Sequence, residues 1–177
     1  TPAVPVVPGT PAKLQIVMPG EVAVKGSPLG KTGSPSMATA GLRYDVVVNL
    51  TDSFYNVVKN IPMPTVALTT TDPWDDEVSF FGGNPQSLNA PTGSATIGVY
   101  FQTNATWTVT ATDDSYTNLY QNDTSTSVYV QAGAASKFLI VLPGETHTPG
   151  KTFALPVGRI GSPLVQTVGD NVSAQIL

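Results

Sequence analysis

The densest set of groups able to do chemistry is acidic. Asp72, Asp75, Asp76 and Glu77 crowd into one short stretch. Carboxylate oxygens gathered in a loop suit calcium, which takes about six to eight oxygen ligands. These four residues are therefore the candidate metal site, with calcium as the implied ion. Their spacing matches no EF-hand loop, and a solvated acidic loop accounts for the same residues without an ion. Asp113 and Asp114 form a second acidic pair. Paired carboxylates also hydrolyse glycosides, but no run of aromatics announces the cleft such a reaction needs. A nucleophile needs a base, and the only histidine, His147, lies in the turn-rich stretch Pro143-Gly-Glu-Thr-His-Thr-Pro-Gly150. It is expected in an exposed loop. One histidine without any cysteine is too little for a transition-metal site. No catalytic residue and no cofactor are assigned, and the chain reads as non-catalytic. Trp74, Tyr116 and Tyr120 stand in polar stretches, where aromatic rings either stack on sugars or cap the ends of a core. Four Asn-x-Ser/Thr sequons occur, at Asn49, Asn104, Asn122 and Asn171. Asn104 and Asn122 fall near expected loops and are the glycosylation candidates.

The composition agrees with a scaffold. Of the 177 residues, 41% are hydrophobic, so a real core is available. Only 11% are charged, against about 25% in ordinary globular chains, so Thr, Ser, Asn and Gln must build much of the surface. The net charge is −4, with 8 Lys and Arg that nowhere cluster. Phosphate backbones and anionic lipid surfaces call for basic stripes, so nucleic acid is not an expected partner. No apolar run reaches the length of a spanning helix, so membrane insertion is not expected either. Cysteine is absent, which excludes disulfides and thiolate zinc sites. Low charge with abundant Thr and Val points to an extracellular or cell-surface β-protein.

The elements that must position these groups are strands. Sixteen glycines and sixteen prolines interrupt every stretch that could be helical. Short runs rich in Val, Thr, Ile and aromatics recur between turn-forming clusters. The expected strands are 13–18, 43–51, 64–70, 77–81, 94–102, 106–112 and 126–131. Alternation places Leu14, Ile16 and Met18 on one inward row. It does the same for Val46, Val48 and Leu50, for Ile97, Val99 and Phe101, and for Trp107, Val109 and Ala111. Trp107 is expected fully within the core. Residues 19–43 read as a long loop with at most one short strand at 22–25.

An internal repeat organises the chain. Lys13-Leu-Gln-Ile-Val-Met-Pro-Gly-Glu21 matches Lys137-Phe-Leu-Ile-Val-Leu-Pro-Gly-Glu145 at an offset of 124 residues. Gly30-Lys-Thr-Gly-Ser-Pro35 matches Gly158-Arg-Ile-Gly-Ser-Pro163 at 128, so the second copy carries four extra residues between the blocks. Thr39 and Gly41 then align with Thr167 and Gly169, and strand 46–48 with 174–176. Backwards, Val4-Pro-Val-Val-Pro-Gly9 aligns with Val128-Tyr-Val-Gln-Ala-Gly133. The expected division is residues 1–10 as the last strand of a preceding repeat or a linker, 11–133 as a complete domain, and 134–177 as the first part of an incomplete second repeat.

Two segments carry a family resemblance. Tyr44-Asp-Val-Val-Val-Asn-Leu-Thr-Asp-Ser-Phe-Tyr-Asn-Val-Val58 resembles a B strand that ends in Asp, a short turn and Asn. Gly93-Ser-Ala-Thr-Ile-Gly-Val-Tyr-Phe-Gln-Thr-Asn-Ala-Thr-Trp-Thr-Val-Thr-Ala-Thr112 resembles an E–F hairpin with its aromatic-Thr-Val-Thr-Ala strand. Both are similar to bacterial immunoglobulin-like (Big) repeat domains of the invasin/intimin type. Phe54 and Tyr55 stand where that family carries Gly before the Asn. The repeat also exceeds the usual length of about 100 residues, through 19–43 and 72–93. The resemblance implies an all-β, Ig-like antiparallel β-sandwich used as a structural repeat module, a stiff spacer or filament-forming scaffold. Its expected partners are neighbouring repeats and, in a filament, other copies. An adhesin or carbohydrate-binding module with a glycan ligand, or an accessory domain of a secreted enzyme, is the alternative. Independently of the resemblance, Asp52 is expected to accept backbone hydrogen bonds in its turn, with Asn56 as the residue suited to a left-handed conformation.

Overall fold

Alternating Val, Thr and Ile between glycine-rich turns forms strands. The computed structural model describes residues 3–75, 83–115, 119–152 and 155–177, and these hold no helix. Strands β1 (Lys13–Val17), β5 (Tyr44–Thr51) and β8 (Ser94–Val99) make one antiparallel sheet. Strands β11 (Asp123–Thr124), β10 (Val109–Asp113), β6 (Thr65–Thr70) and β7 (Gln86–Ser87) make a second, in that spatial order. A third group joins β4 (Ala38–Thr39), β12 (Val128–Gln131) and β9 (Thr106–Trp107). The result is all-β and sandwich-like, with one core between the sheets.

The inward rows meet in that core. Leu14, Ile16, Val46, Val48 and Leu50 from the first sheet share one buried cluster with Met18 just beyond β1, with Val66, Leu68, Val109 and Ala111 from the second sheet, and with Val128 and Val130 of β12. Each fully buried aliphatic side chain contributes about 1.5–3 kcal/mol, so these rows dominate stability. Trp107 departs from expectation. It is only partly buried, packs against the rim of the core, and donates from Nε1 to the Thr103 carbonyl at 2.8 Å. The strand expected over 106–112 is in fact two, because the chain changes sheets. Thr108 N–H goes to the Thr71 hydroxyl, so β9 pairs with β12 while β10 pairs with β6 and β11. The strand expected at 77–81 lies outside the described residues.

The stretch 19–43 is more ordered than expected. β2 (Glu21–Ala23) and β3 (Lys31–Gly33) form a hairpin, and β4 adds parallel to β12. This hairpin lies over the outward side of β1 and β5, where Gln15 and Asn49 are buried. Gln15 Nε2 donates to the Gly30 carbonyl at 2.6 Å, and Asn49 Nδ2 donates to Gln15 Oε1 at 3.1 Å. Buried amides persist only when so bonded.

Beyond residue 137 the same local geometry returns. β13 (Ile140–Val141) pairs with β16 (Gln175–Ile176) in the register of Ile16 with Val48 and Val17 with Val47. β14 (Glu145–His147) pairs with β15 (Arg159–Gly161) in the register of β2 with β3. Gly20 and Gly144 have φ near +90°, and a Cβ on either would come within 2.6 Å of the Ser34 or 2.5 Å of the Ser162 carbonyl oxygen. Only glycine fits both positions. Ser36 N–H bonds the Pro19 carbonyl, and Leu164 N–H bonds the Pro143 carbonyl, at the same two offsets.

Candidate functional site

The groups singled out for chemistry are used by the chain itself. Asp72 is buried at the end of β6. Its Oδ2 accepts from Gln102 N–H at 2.7 Å and Thr103 N–H at 2.9 Å, and its Oδ1 accepts from Trp74 N–H and the Thr103 hydroxyl. A carboxylate holding four donors is a turn organiser. Asp75 accepts from the Thr70 hydroxyl. Asp76 and Glu77 lie outside the described residues, as does Tyr116. Among the described residues no three His, Cys, Asp or Glu side chains gather as metal ligands.

Two further aspartates repeat this device. Asp113 accepts from Ser115 N–H and hydroxyl, Leu119 N–H and Tyr120 N–H. Burial works to raise its pKa, but those hydrogen bonds outweigh it and hold the carboxyl below its ordinary value. Asp52 accepts from Phe54 N–H at 2.8 Å, as expected, and from Asn56 N–H and Nδ2. The left-handed residue of this turn is Tyr55, at φ 63°, and not Asn56. The Tyr55 ring lies between Gly30 on one side and the Lys13 ammonium, 3.5 Å from the ring centroid, on the other. That packing accounts for a bulky residue in a conformation bulky residues avoid. Asp52 Oδ2 also accepts from Gly9 N–H at 2.8 Å, tying the amino-terminal segment to the domain. Burial would raise the Asp52 pKa, but these donors prevail and pull it down to about 2.

Sequence reasoning missed one buried ion pair. Glu21 Oε2 meets Lys31 Nζ at 2.9 Å, accepts from Met18 N–H, and its Oε1 accepts from the Thr126 hydroxyl. Desolvation raises the Glu21 pKa, yet these partners together leave it lowered. Lys31 Nζ also donates to the Ile16 carbonyl. In the second copy Glu145 accepts from Leu142 N–H and pairs with Arg159, which donates to the Ile140 carbonyl. The signal was in the alignment: an acid and a base keep their places in both copies. Close by, Asp123 takes Ile16 N–H at 2.7 Å, and burial pushes its pKa up. Tyr44 donates to the Ser36 carbonyl, and burial, then the Glu21 charge, push its hydroxyl up to about 12.

The remaining candidates fall as follows. His147 is exposed, but on strand β14 opposite Arg159 and not in a loop. Trp74 is half-buried, and Tyr120 packs against the core. Asn104 and Asn122 are exposed, whereas Asn49 is buried and bonded to Gln15. An open groove of about 460 Å³ runs between Val6, Val7 and the loop bearing Tyr55, with Lys25 and Lys59 beside it. It follows the docked amino-terminal segment. No protein-family model matches the chain, and no curated protein is significantly similar to it.

Proposed function

We propose that this chain is a non-catalytic structural module of a tandem array in an extracellular or cell-surface protein, built on the plan of the bacterial immunoglobulin-like repeats it resembles. It acts as a stiff spacer or filament scaffold. The observation that supports this reading best is an anchored joint on each side of the core. On the amino-terminal side, Gly9 N–H is held by Asp52. On the carboxy-terminal side, Gly150 rests on Thr103. Residues 3–10 and 131–138 are themselves exposed, as linkers are, but the Gly9 hydrogen bond and the Gly150 contact tie the chain on either side to the core. The polar side chains most able to do chemistry are spent on turns, and low charge suits a surface that repels few neighbours. The test is a tandem in which residues 10–133 follow residue 133 directly, studied by small-angle X-ray scattering. The expected profile is that of an elongated particle of fixed shape. A profile fitted only by freely jointed modules would defeat the proposal.

A further inference from the structure

Gly26 and Gly150 occupy the same place in the same turn. In the first copy Val24 N–H bonds the Gly30 carbonyl at 2.7 Å, and Ser27 N–H bonds the Val24 carbonyl at 3.4 Å. In the second, Thr148 N–H bonds the Gly158 carbonyl at 2.8 Å, and Lys151 N–H bonds the Thr148 carbonyl at 3.4 Å. The glycines have φ of 74° and 80°. Their surroundings differ. A Cβ on Gly150 would lie 2.1 Å from Thr103 Oγ1 and 3.2 Å from the Gln102 carbonyl carbon. Among the described residues, a Cβ on Gly26 would meet nothing within 4 Å. One member of the pair is covered by the domain that precedes it, and the other is bare.

We infer that the bare turn at 24–27 is the seat for the 102–103 turn of a preceding module of the same kind, so that Gly26 meets that module's Thr103 as Gly150 meets Thr103 here. This rests on the tandem reading above. The donor turn is built for docking. Asp72 takes the Gln102 and Thr103 N–H groups and the Thr103 hydroxyl from one side, and Trp107 Nε1 fixes the Thr103 carbonyl from the other. The acceptor turn is braced as well, since Gly26 N–H bonds the Phe54 carbonyl at 2.7 Å. Phe54 itself is an exposed aromatic beside the bare glycine. The approach is set by Gly9, clamped to Asp52 in the same loop. A contact of unlike surfaces, head to tail, propagates along an array and does not close on itself.

The test uses the same tandem, with spin labels at Thr69→Cys in the first module and Thr96→Cys in the second, and reads the distance distribution between them. The unsubstituted tandem should give one narrow distribution. Gly26→Val in the second module should widen it by about two-fold or more, as expected when an interdomain contact is lost. Gly26→Val in the first module, where the turn has no neighbour, should leave it unchanged. Widening from both positions would trace the effect to backbone strain at positive φ and overturn the inference. So would a narrow distribution indifferent to both. A broad distribution in the unsubstituted tandem would instead overturn the array reading itself. In the present chain, Gly150→Val should shift the Thr103 methyl resonance, and Gly26→Val should not; the reverse result would also overturn the inference.

Discussion

Buried aspartates at strand ends do here what ligands and caps do elsewhere. Asp52, Asp72 and Asp113 each gather at least four donors, three or more of them from a single turn. Charge-assisted hydrogen bonds are about twice as strong as neutral ones, and at Asp52 and Asp113 they hold the carboxyl below its ordinary value. For Asp52 the consequence is measurable. Its folded pKa of about 2 lies below the ordinary 3.8. Its contribution is therefore complete above that ordinary value and is lost as pH falls from roughly 4 towards 2. Asp52→Asn should destabilise the chain at pH 7 by about 1–3 kcal/mol, because an amide nitrogen then faces the Gly9 or Asn56 donors. It should also flatten the fall in melting temperature between about pH 4 and pH 2 relative to the unsubstituted chain. Equal acid sensitivity in both would show that Asp52 is not the group responsible.

At the scale of elements, the β2–β3 hairpin is the informative piece. Its Glu21–Lys31 pair is buried enough that removing one partner strands the other, at a cost of about 3 kcal/mol. Glu21→Gln should lose roughly that much in denaturant unfolding. Lys31→Arg should cost less than about 1 kcal/mol, since Arg159 makes the equivalent bonds to Glu145 and Ile140 in the second copy. A large loss from Lys31→Arg would mean the two hairpins are alike only in backbone. The inward rows on β1, β5, β8 and β10 were legible in the sequence, because period-2 alternation exposes them directly. The hairpin was not. Residues 19–43 hold little apolar sequence, and their order comes from a polar interior: Glu21 with Lys31, and Gln15 with Asn49 and Gly30. No periodicity signals such contacts. In the second copy Leu139 and Leu177 stand opposite each other in place of Gln15 and Asn49, exchanging a hydrogen-bonded pair for an apolar one. The sheet change at Thr108 and the left-handed Tyr55 were hidden likewise, since both depend on partners far away in sequence.

At the scale of the whole molecule, the two copies differ in what covers them. Leu14 and Ile16 are 1% and 0% exposed, while their counterparts Phe138 and Ile140 are 88% and 54% exposed. The backbone register is the same, so the difference is packing alone. In the first copy the covering residues come from β6, β10 and β12. Among the described residues nothing equivalent lies over β13 and β16. Local stability follows buried apolar contact, so residues 134–177 should open far more readily than 11–133. Limited proteolysis with mass spectrometry should place the first cuts between 134 and 177 and leave a resistant fragment ending near residue 133. Leu177 corresponds to Asn49, so appending residues 50–133 after Leu177 places the covering strands of the first copy in register with β13 and β16. In that chimera Phe138 and Ile140 should become buried, each worth about 1.5–3 kcal/mol, and the early cuts should disappear. If residues 134–177 resist protease in the present chain, or stay sensitive in the chimera, then the shared register does not carry a shared sandwich, and the two copies are alike in hairpin and strand pairing only.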